Sequence, residues 1–241
     1  MLYEQPRLYD ALYDRFTEDI EFYTDIAREG SGPVCELACG TGRVTVPLAE
    51  TGLQVTGIDS SPQMIDAART RAAASDAGDR VTLDVGDMRA PLPNGAFTTV
   101  LVPLHSLSHL LTVEEIRAAL TAIHGGLRTG GRLALALHNP DPAYLAGDDD
   151  GIRRIHREVS SLAIYETTRY HSDRQVLDIK WYVETSDETS LVTYPLRMIF
   201  PEELRLLLDV SGFEMEDRFG WYDRRPFSAE SGTQVVVARR R

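Results

Sequence analysis

Lysine is nearly missing from this chain: Lys180 is the single one in 241 residues, and arginine carries the rest of the basic charge. That bias reflects a GC-rich genome rather than chemistry. Basic charge as a whole is also short, with 25 Lys and Arg against 37 Asp and Glu and a net charge of −12, giving an isoelectric point near 4.9. Binding a nucleic-acid backbone needs a basic face that neutralises phosphates, so this balance excludes nucleic acid as the expected partner and leaves a small molecule or peptide. Long apolar runs are missing as well. Leu133 to Leu137 is among the longest, far short of the roughly 20 residues a bilayer span needs, and no basic start followed by an apolar stretch opens the chain. A cytoplasmic protein without membrane attachment is the expectation. Cysteine is limited to Cys35 and Cys39, which sit in one strand and its turn, one facing the core and the other the loop. They are not expected to pair, and free thiols fit a reducing compartment. No repeat or low-complexity segment appears, and 43% apolar residues suffice for one large α/β domain over residues 1–241.

What is present is a strand-turn-helix pattern. Val34 to Leu37 form a short apolar strand, Ala38-Cys39-Gly40-Thr41-Gly42 breaks it, and Val44, Val46, Leu48 and Ala49 open a helical period. Gly40 and Gly42 let the backbone turn sharply and approach a ligand where a side chain would collide. A second strand, Leu53 to Ile58, ends at Asp59, whose carboxylate is placed to accept both hydroxyls of a ribose. Turn and acid together indicate an adenosine ligand. A dinucleotide fingerprint would carry a third glycine where Thr45 stands, and Glu36 puts a negative charge beside the turn. That charge opposes a pyrophosphate and suits the ammonium of an amino-acid moiety.

At these residues the chain resembles the class I S-adenosylmethionine-dependent methyltransferases. Their first motif, E/D-x-G/A-x-G-x-G, is matched by Glu36, Ala38, Gly40 and Gly42; their second, an acid closing strand two, by Asp59 within Gly57-Ile58-Asp59-Ser60-Ser61-Pro62; and their adenine-binding turn by Gly86-Asp87-Met88-Arg89. The resemblance covers roughly residues 30–140 and departs from the commonest form in having Ala38 for the first glycine. It implies S-adenosylmethionine as cofactor, with Tyr9, Tyr13, Glu36, Ala38, Gly40, Gly42, Asp59, Ser60, Met64, Asp87, Met88 and Leu104 as contact candidates. In similar enzymes a tyrosine-bearing first helix closes over the methionine end; the plainer reading of Tyr9 and Tyr13 is packing of that helix on the sheet. No metal is expected.

The rest of the chain organises around this unit. Pro6 opens a helix bearing Leu8, Leu12 and Phe16, and residues 1–30 read as a helical cover. Ser61-Pro62 caps a helix with Met64, Ile65 and Ala68 inward. Strands at Val81–Val85, Phe97–Val102 and Leu133–His138 follow, with a Thr112 and Glu115 capping box opening the helix between the last two. Alternating units of this length give a doubly wound, Rossmann-like seven-stranded sheet, whose last strand is antiparallel by the resemblance. The alternation stops after strand five. Ser160–Tyr170, Val176–Thr185 and Thr189–Phe200 read as three antiparallel strands with polar turns at Ser172-Asp173-Arg174 and Asp187-Glu188, behind a solvated acidic run at Asp148–Asp150. Residues 145–200 are therefore an antiparallel β insertion, expected over the acceptor site or at a homodimer interface. A helix from Pro201 and strands near Phe213–Phe219 and Gln234–Ala238 close the fold.

Ligands of open α/β sheets lie beyond the carboxyl ends of the strands, and two histidines stand there: His105 after strand four and His138 closing strand five. Imidazole titrates near neutrality and can take a proton from a hydroxyl or an ammonium; alternatively each histidine bonds a loop carbonyl and only shapes its turn. His105 ranks first as catalytic base and His138 second, with His109 below both. Tyr165, Arg169, Trp181, Tyr182 and Arg197 are suspects for an acceptor pocket, against the ordinary reading of strand aromatics as core. The function these features imply is methyl transfer to N or O of a small molecule or short peptide in bacterial secondary metabolism. The rival readings are a catalytically silent S-adenosylmethionine-binding sensor and transfer of another group from a modified sulfonium.

Overall fold

The computed structural model describes residues 2–146, 153–159, 162–184 and 189–241. In chain order, helices α1 (Pro6–Tyr13) and α2 (Glu18–Gly30) precede β1 (Val34–Leu37), α3 (Thr45–Glu50), β2 (Val55–Asp59), α4 (Pro62–Ala73), β3 (Val81–Val85), β4 (Phe97–Val102), α5 (Val113–Gly126) and β5 (Leu127–His138). Then come α6 (Pro142–Leu145), four further strands β6 (Arg153–Val159), β7 (Leu162–His171), β8 (Val176–Glu184) and β9 (Thr189–Arg197), helix α7 (Pro201–Val210), and β10 (Phe213–Phe219) and β11 (Thr233–Arg240). Seven strands form one sheet in the order β10-β11-β5-β4-β1-β2-β3. Strands β1 to β5 are mutually parallel, and β11 runs antiparallel to both β5 and β10, as the doubly wound reading requires. The order reverses between β1 and β4, and their carboxyl ends define the crevice where such sheets bind ligands.

Both faces of the sheet are covered. On one side Ile116, Leu120 and Ile123 of α5 and Leu204 and Leu208 of α7 pack with Val100, Leu133 and Leu135. On the other, Phe22, Tyr23 and Ile26 of α2 and Leu48 of α3 pack with Leu101, Ala134 and Val235. Helix starts follow their sequence cues: Ser61 accepts from the Met64 amide with Pro62 next to it, and Thr112 with Glu115 completes the capping box.

The first segment differs from expectation. The opening helix ends at Tyr13, so Phe16 lies in a turn rather than on its face, and α2 is an additional element whose inward residues Phe22, Tyr23, Ile26 and Ala27 are spaced by three and four. Strand β5 begins at Leu127 rather than Leu133, its early part joining β4 across a register shift between Phe97 and Thr99. After β5 the chain builds a second, four-stranded antiparallel sheet in the order β6-β7-β8-β9. The strand beyond the three expected, β6, has the sequence Arg-Arg-Ile-His-Arg-Glu-Val, which lacks the apolar alternation that exposes a strand to sequence reading. The acidic run at Asp148–Asp150 and the turn at Asp187-Glu188 lie outside the described residues. On one face of this sheet Ile164, Leu177, Ile179, Trp181, Val183, Val192 and Leu196 join Leu2 and Leu12 in a third apolar cluster, with Tyr9 and Tyr13 against it. The N-terminal helix thus lies between the two sheets.

Candidate active site

The turn after β1 is built on left-handed backbone: φ is 55° at Ala38, 56° at Gly40 and 79° at Gly42. This path aims the Gly40 amide at Asp59, which accepts from Gly40 N through Oδ2 and from Ser61 N through Oδ1, both at 2.8 Å. Each carboxylate oxygen keeps a further lone pair. Burial raises the Asp59 carboxyl, and the two amide bonds work against that shift. The turn is also tied to the N-terminal helices. Thr41 Oγ1 donates to Asp10 at 2.6 Å, Arg71 of α4 pairs with Asp10 and Asp14, and Arg43 forks onto Asp19 at 2.8 and 2.7 Å while a further bond reaches the Phe16 carbonyl at 2.6 Å.

Four of the expected contact residues stand outside the cavity that this turn opens into. Glu36 is 2% exposed and accepts a short hydrogen bond from Thr45 Oγ1; burial pushes its carboxyl up to about 8. It is held by Thr45 and is not among the residues lining the cavity. Met64 is wholly buried in the core. Gly42 serves packing, because a Cβ there would stand 3.3 Å from that of Ala68 on α4. Asp87 forms an exposed pair with Arg89 at 2.6 Å, and that guanidinium holds its carboxyl below the usual range. The carboxylate is occupied by a neighbour two residues away, which sequence spacing alone does not reveal.

The others converge. Tyr9, Tyr13, Ala38, Gly40, Asp59, Ser60, Met88, Leu104, His105 and His138 all line one cavity of about 1250 Å³. His105 and His138 stack with ring centroids 3.6 Å apart and planes inclined by 22°, a contact made possible because β4 and β5 are neighbours. Leu104 and His105 take φ of 46° and 60°, strain that swings the imidazole over the strand ends. His105 Nδ1 is buried without a partner among the described residues. Burial holds its ring well below the ordinary imidazole range and brings His109 and His138 down to about 4. All three rings are therefore neutral near pH 7, acceptors rather than cations. His109 is fixed by Tyr3, whose hydroxyl lies 2.7 Å from its Nε2. Of the insertion suspects only Trp181 lines the cavity. Arg197 binds the Arg174 carbonyl, Gln175 and Glu203, fastening β9 to α7, and Tyr165, Arg169 and Tyr182 lie elsewhere. Sequence reading missed Tyr3, Asn139, Tyr144, Glu166 and Tyr194, which also line it; they belong to no motif and meet only through folding.

The residues present suit S-adenosylmethionine. A Cβ on Gly40 would stand 3.4 Å from the Tyr9 ring, so the missing side chain leaves a slot between turn and helix at the Asp59 carboxylate. Outside the second sheet the charged residues of the cavity wall are Glu4, Asp59 and Asp141 against Arg15, a balance that favours a sulfonium over a pyrophosphate.

Residues 34–131 match a family model described as a methyltransferase domain. The fold matches the solved CcbJ methyltransferase from Streptomyces caelestis at 29% identity and a TM-score of 0.84, covering 96% of this chain and 89% of that one. Among curated proteins, the 27-O-demethylrifamycin SV methyltransferase of Amycolatopsis mediterranei is 29% identical over 66% of this chain and 57% of its own length. The cypemycin N-terminal methyltransferase of a Streptomyces species is 25% identical over 86% and 82%. Several curated relatives are matched over only 51% to 58% of their own length. Motif turn, ribose acid, strand order and these matches agree on a class I S-adenosylmethionine-dependent methyltransferase fold, with residues 34–131 matching the methyltransferase domain.

Proposed function

We propose that this protein moves a methyl group from S-adenosylmethionine to a nitrogen or oxygen of a small molecule or short peptide in bacterial secondary metabolism. The observation that carries the proposal is the continuity of the cavity. Ala38, Gly40 and Asp59, the apolar face of the second sheet and the stacked His105 and His138 pair all line this one cavity. A protein that only sensed the cofactor would have no use for the chamber beyond the histidines. The relatives named above point the same way, one by its name acting on a rifamycin oxygen and one on a peptide N-terminus.

When bound, the cofactor supplies a methyl carbon activated by a positively charged sulfur. The chain's own residues position and desolvate. Asp59 would hold the ribose hydroxyls on its remaining lone pairs, Tyr9 and Met88 of the same cavity would hold the nucleoside, and the second sheet would cover the acceptor and exclude water. A neutral imidazole would take the acceptor's proton as the acceptor's lone pair receives the methyl group from the bound cofactor. His105, with Nδ1 unpartnered, is the proposed base, and His138 holds its ring by stacking. In-line alignment of this kind supplies much of the rate in such displacements.

Calorimetry with S-adenosylhomocysteine followed by transfer of labelled methyl to an amine and alcohol panel tests the proposal. Asp59→Ala should lose at least roughly tenfold in affinity, since bonds to a charged acceptor are worth about 1.5–3 kcal/mol each. His105→Ala should keep its affinity and lose about 10²- to 10⁴-fold in transfer rate. Tighter binding of NAD than of the sulfonium cofactor, or full transfer by His105→Ala at every pH, would overturn the respective assignment.

A further inference from the structure

The far wall of the cavity carries one charge. From the second sheet and the residues just after it, Ile164, Glu166, Thr168, Leu177, Ile179, Trp181, Tyr194, Pro195, Leu196 and Met198 line the chamber, and Glu166 is the single charged group among these described residues. It alternates in register with Ile164 and Thr168 on β7 and faces Trp181 across the β7–β8 ladder. An acid in the middle of an apolar face is unfavourable unless something compensates it.

Only half of the carboxylate is compensated. Trp181 Nε1 donates to Oε2 at 2.8 Å, and Oε1 has no partner among the described residues. Trp181 is 6% exposed and meets Tyr194 edge to face at 5.2 Å and 90°, so its indole is locked and fixes the carboxylate's orientation. Tyr194 in turn lies 6.2 Å from the His109 ring, which places this group beside the histidines rather than at the outer rim. Tyr144, also on the wall, approaches Thr168 at 3.5 Å. A fixed carboxylate with an open oxygen, framed by aromatic rings whose faces attract cations, is a receptor for a protonated amine carried on an apolar body.

Resting on the methyl-transfer reading, we propose that Glu166 is the specificity-determining residue of the acceptor site and selects an amine-bearing, partly apolar acceptor over its neutral counterpart. The carboxylate anchors the cationic nitrogen, and Trp181 and Tyr194 hold the apolar part beneath it. Glu166 takes no part in cofactor binding, because the cofactor's turn and Asp59 belong to the opposite wall.

The test is calorimetry on the full chain loaded with S-adenosylhomocysteine, titrated at neutral pH with phenethylamine and, separately, with phenethyl alcohol. The amine should bind about tenfold more tightly than the alcohol, the scale of a hydrogen bond to a charged group. In Glu166→Gln, which keeps the size of the side chain and an oxygen for Trp181 Nε1, that preference should vanish while affinity for S-adenosylhomocysteine is unchanged. Equal binding of amine and alcohol to the native chain overturns the proposal, whether or not the variant folds. An unchanged preference in Glu166→Gln overturns it too. If S-adenosylhomocysteine itself fails to bind, the methyl-transfer reading falls, and titration of the free protein with the same two probes still decides the role of Glu166.

Discussion

At the scale of single residues, the motif positions were legible and their directions were not. Ala38, Gly40 and Asp59 stand where their spacing says, because a strand that must turn back under a helix leaves the backbone few paths. Ala38 shows the cost of that path. An alanine in left-handed backbone carries about 1–2 kcal/mol of strain, and the extra freedom of an unfolded glycine offsets about 0.4–1 kcal/mol of the gain from relieving it. Ala38→Gly should therefore raise stability by up to about 1 kcal/mol in urea unfolding; an unchanged or lower midpoint would show that the turn at φ 55° is not strained. Glu36 and Asp87 were equally visible as acids in motifs, yet one is turned under Thr45 and the other onto Arg89. Both directions are set by partners close in sequence, Thr45 for Glu36 and Arg89 for Asp87, a competition for the carboxylate that motif spacing does not resolve.

At the scale of elements, caps and alternation located most helices and strands; α2 fell within the helical cover read over residues 1–30 without being separated from the first helix, and β6 escaped because its sequence lacks apolar alternation. The charge in α2 has a purpose. Asp19 is wholly buried and Arg43 is 4% exposed, and their forked pair, with the Arg43 guanidinium 5.4 Å from the Phe16 ring centroid, clamps the N-terminal helices to the cofactor turn. Removing one partner of a buried pair leaves the other charge uncompensated, so Asp19→Ala should cost about 3–5 kcal/mol, whereas an apolar replacement of both residues should cost much less. Urea unfolding of the single and double variants checks this; equal losses in both would mean that packing, not charge, dominates.

At the scale of the whole molecule, buried titratable groups around the cavity set the pH range of stability. Burial lowers His109 and His138 to about 4 and holds His105 well below the ordinary imidazole range. The unfolded chain therefore takes up protons that the folded one refuses as pH falls below the ordinary imidazole range, and stability drops from there toward pH 4. Glu36 acts in the opposite sense: its carboxyl is raised to about 8, so its contribution is complete at low pH and is lost as pH rises from the ordinary carboxyl range through 8. With these histidines acting on the acid limb and Glu36 on the alkaline limb, stability without cofactor should be greatest near the ordinary imidazole range and fall from there as pH rises toward 8. Thermal melts from pH 4 to 9 check this, and Glu36→Gln should flatten the alkaline limb alone. A melting temperature that still declines above neutrality in that variant would assign the effect to another group.

The sequence by itself determined the parallel sheet, the glycine turn, the ribose acid and the presence of an antiparallel insertion, because each rests on local chemistry: which residues tolerate left-handed backbone, which alternate, which cap. Only the tertiary structure decided that His105 and His138 touch, that Glu36 and Asp87 turn away from the cavity, and that Glu166, Trp181 and Tyr194 face the same chamber as Asp59. The contact of the two histidines and the meeting of Asp59 with the second sheet join elements apart in the sequence. They are set by strand order and by the packing of one sheet over another, which no local pattern encodes.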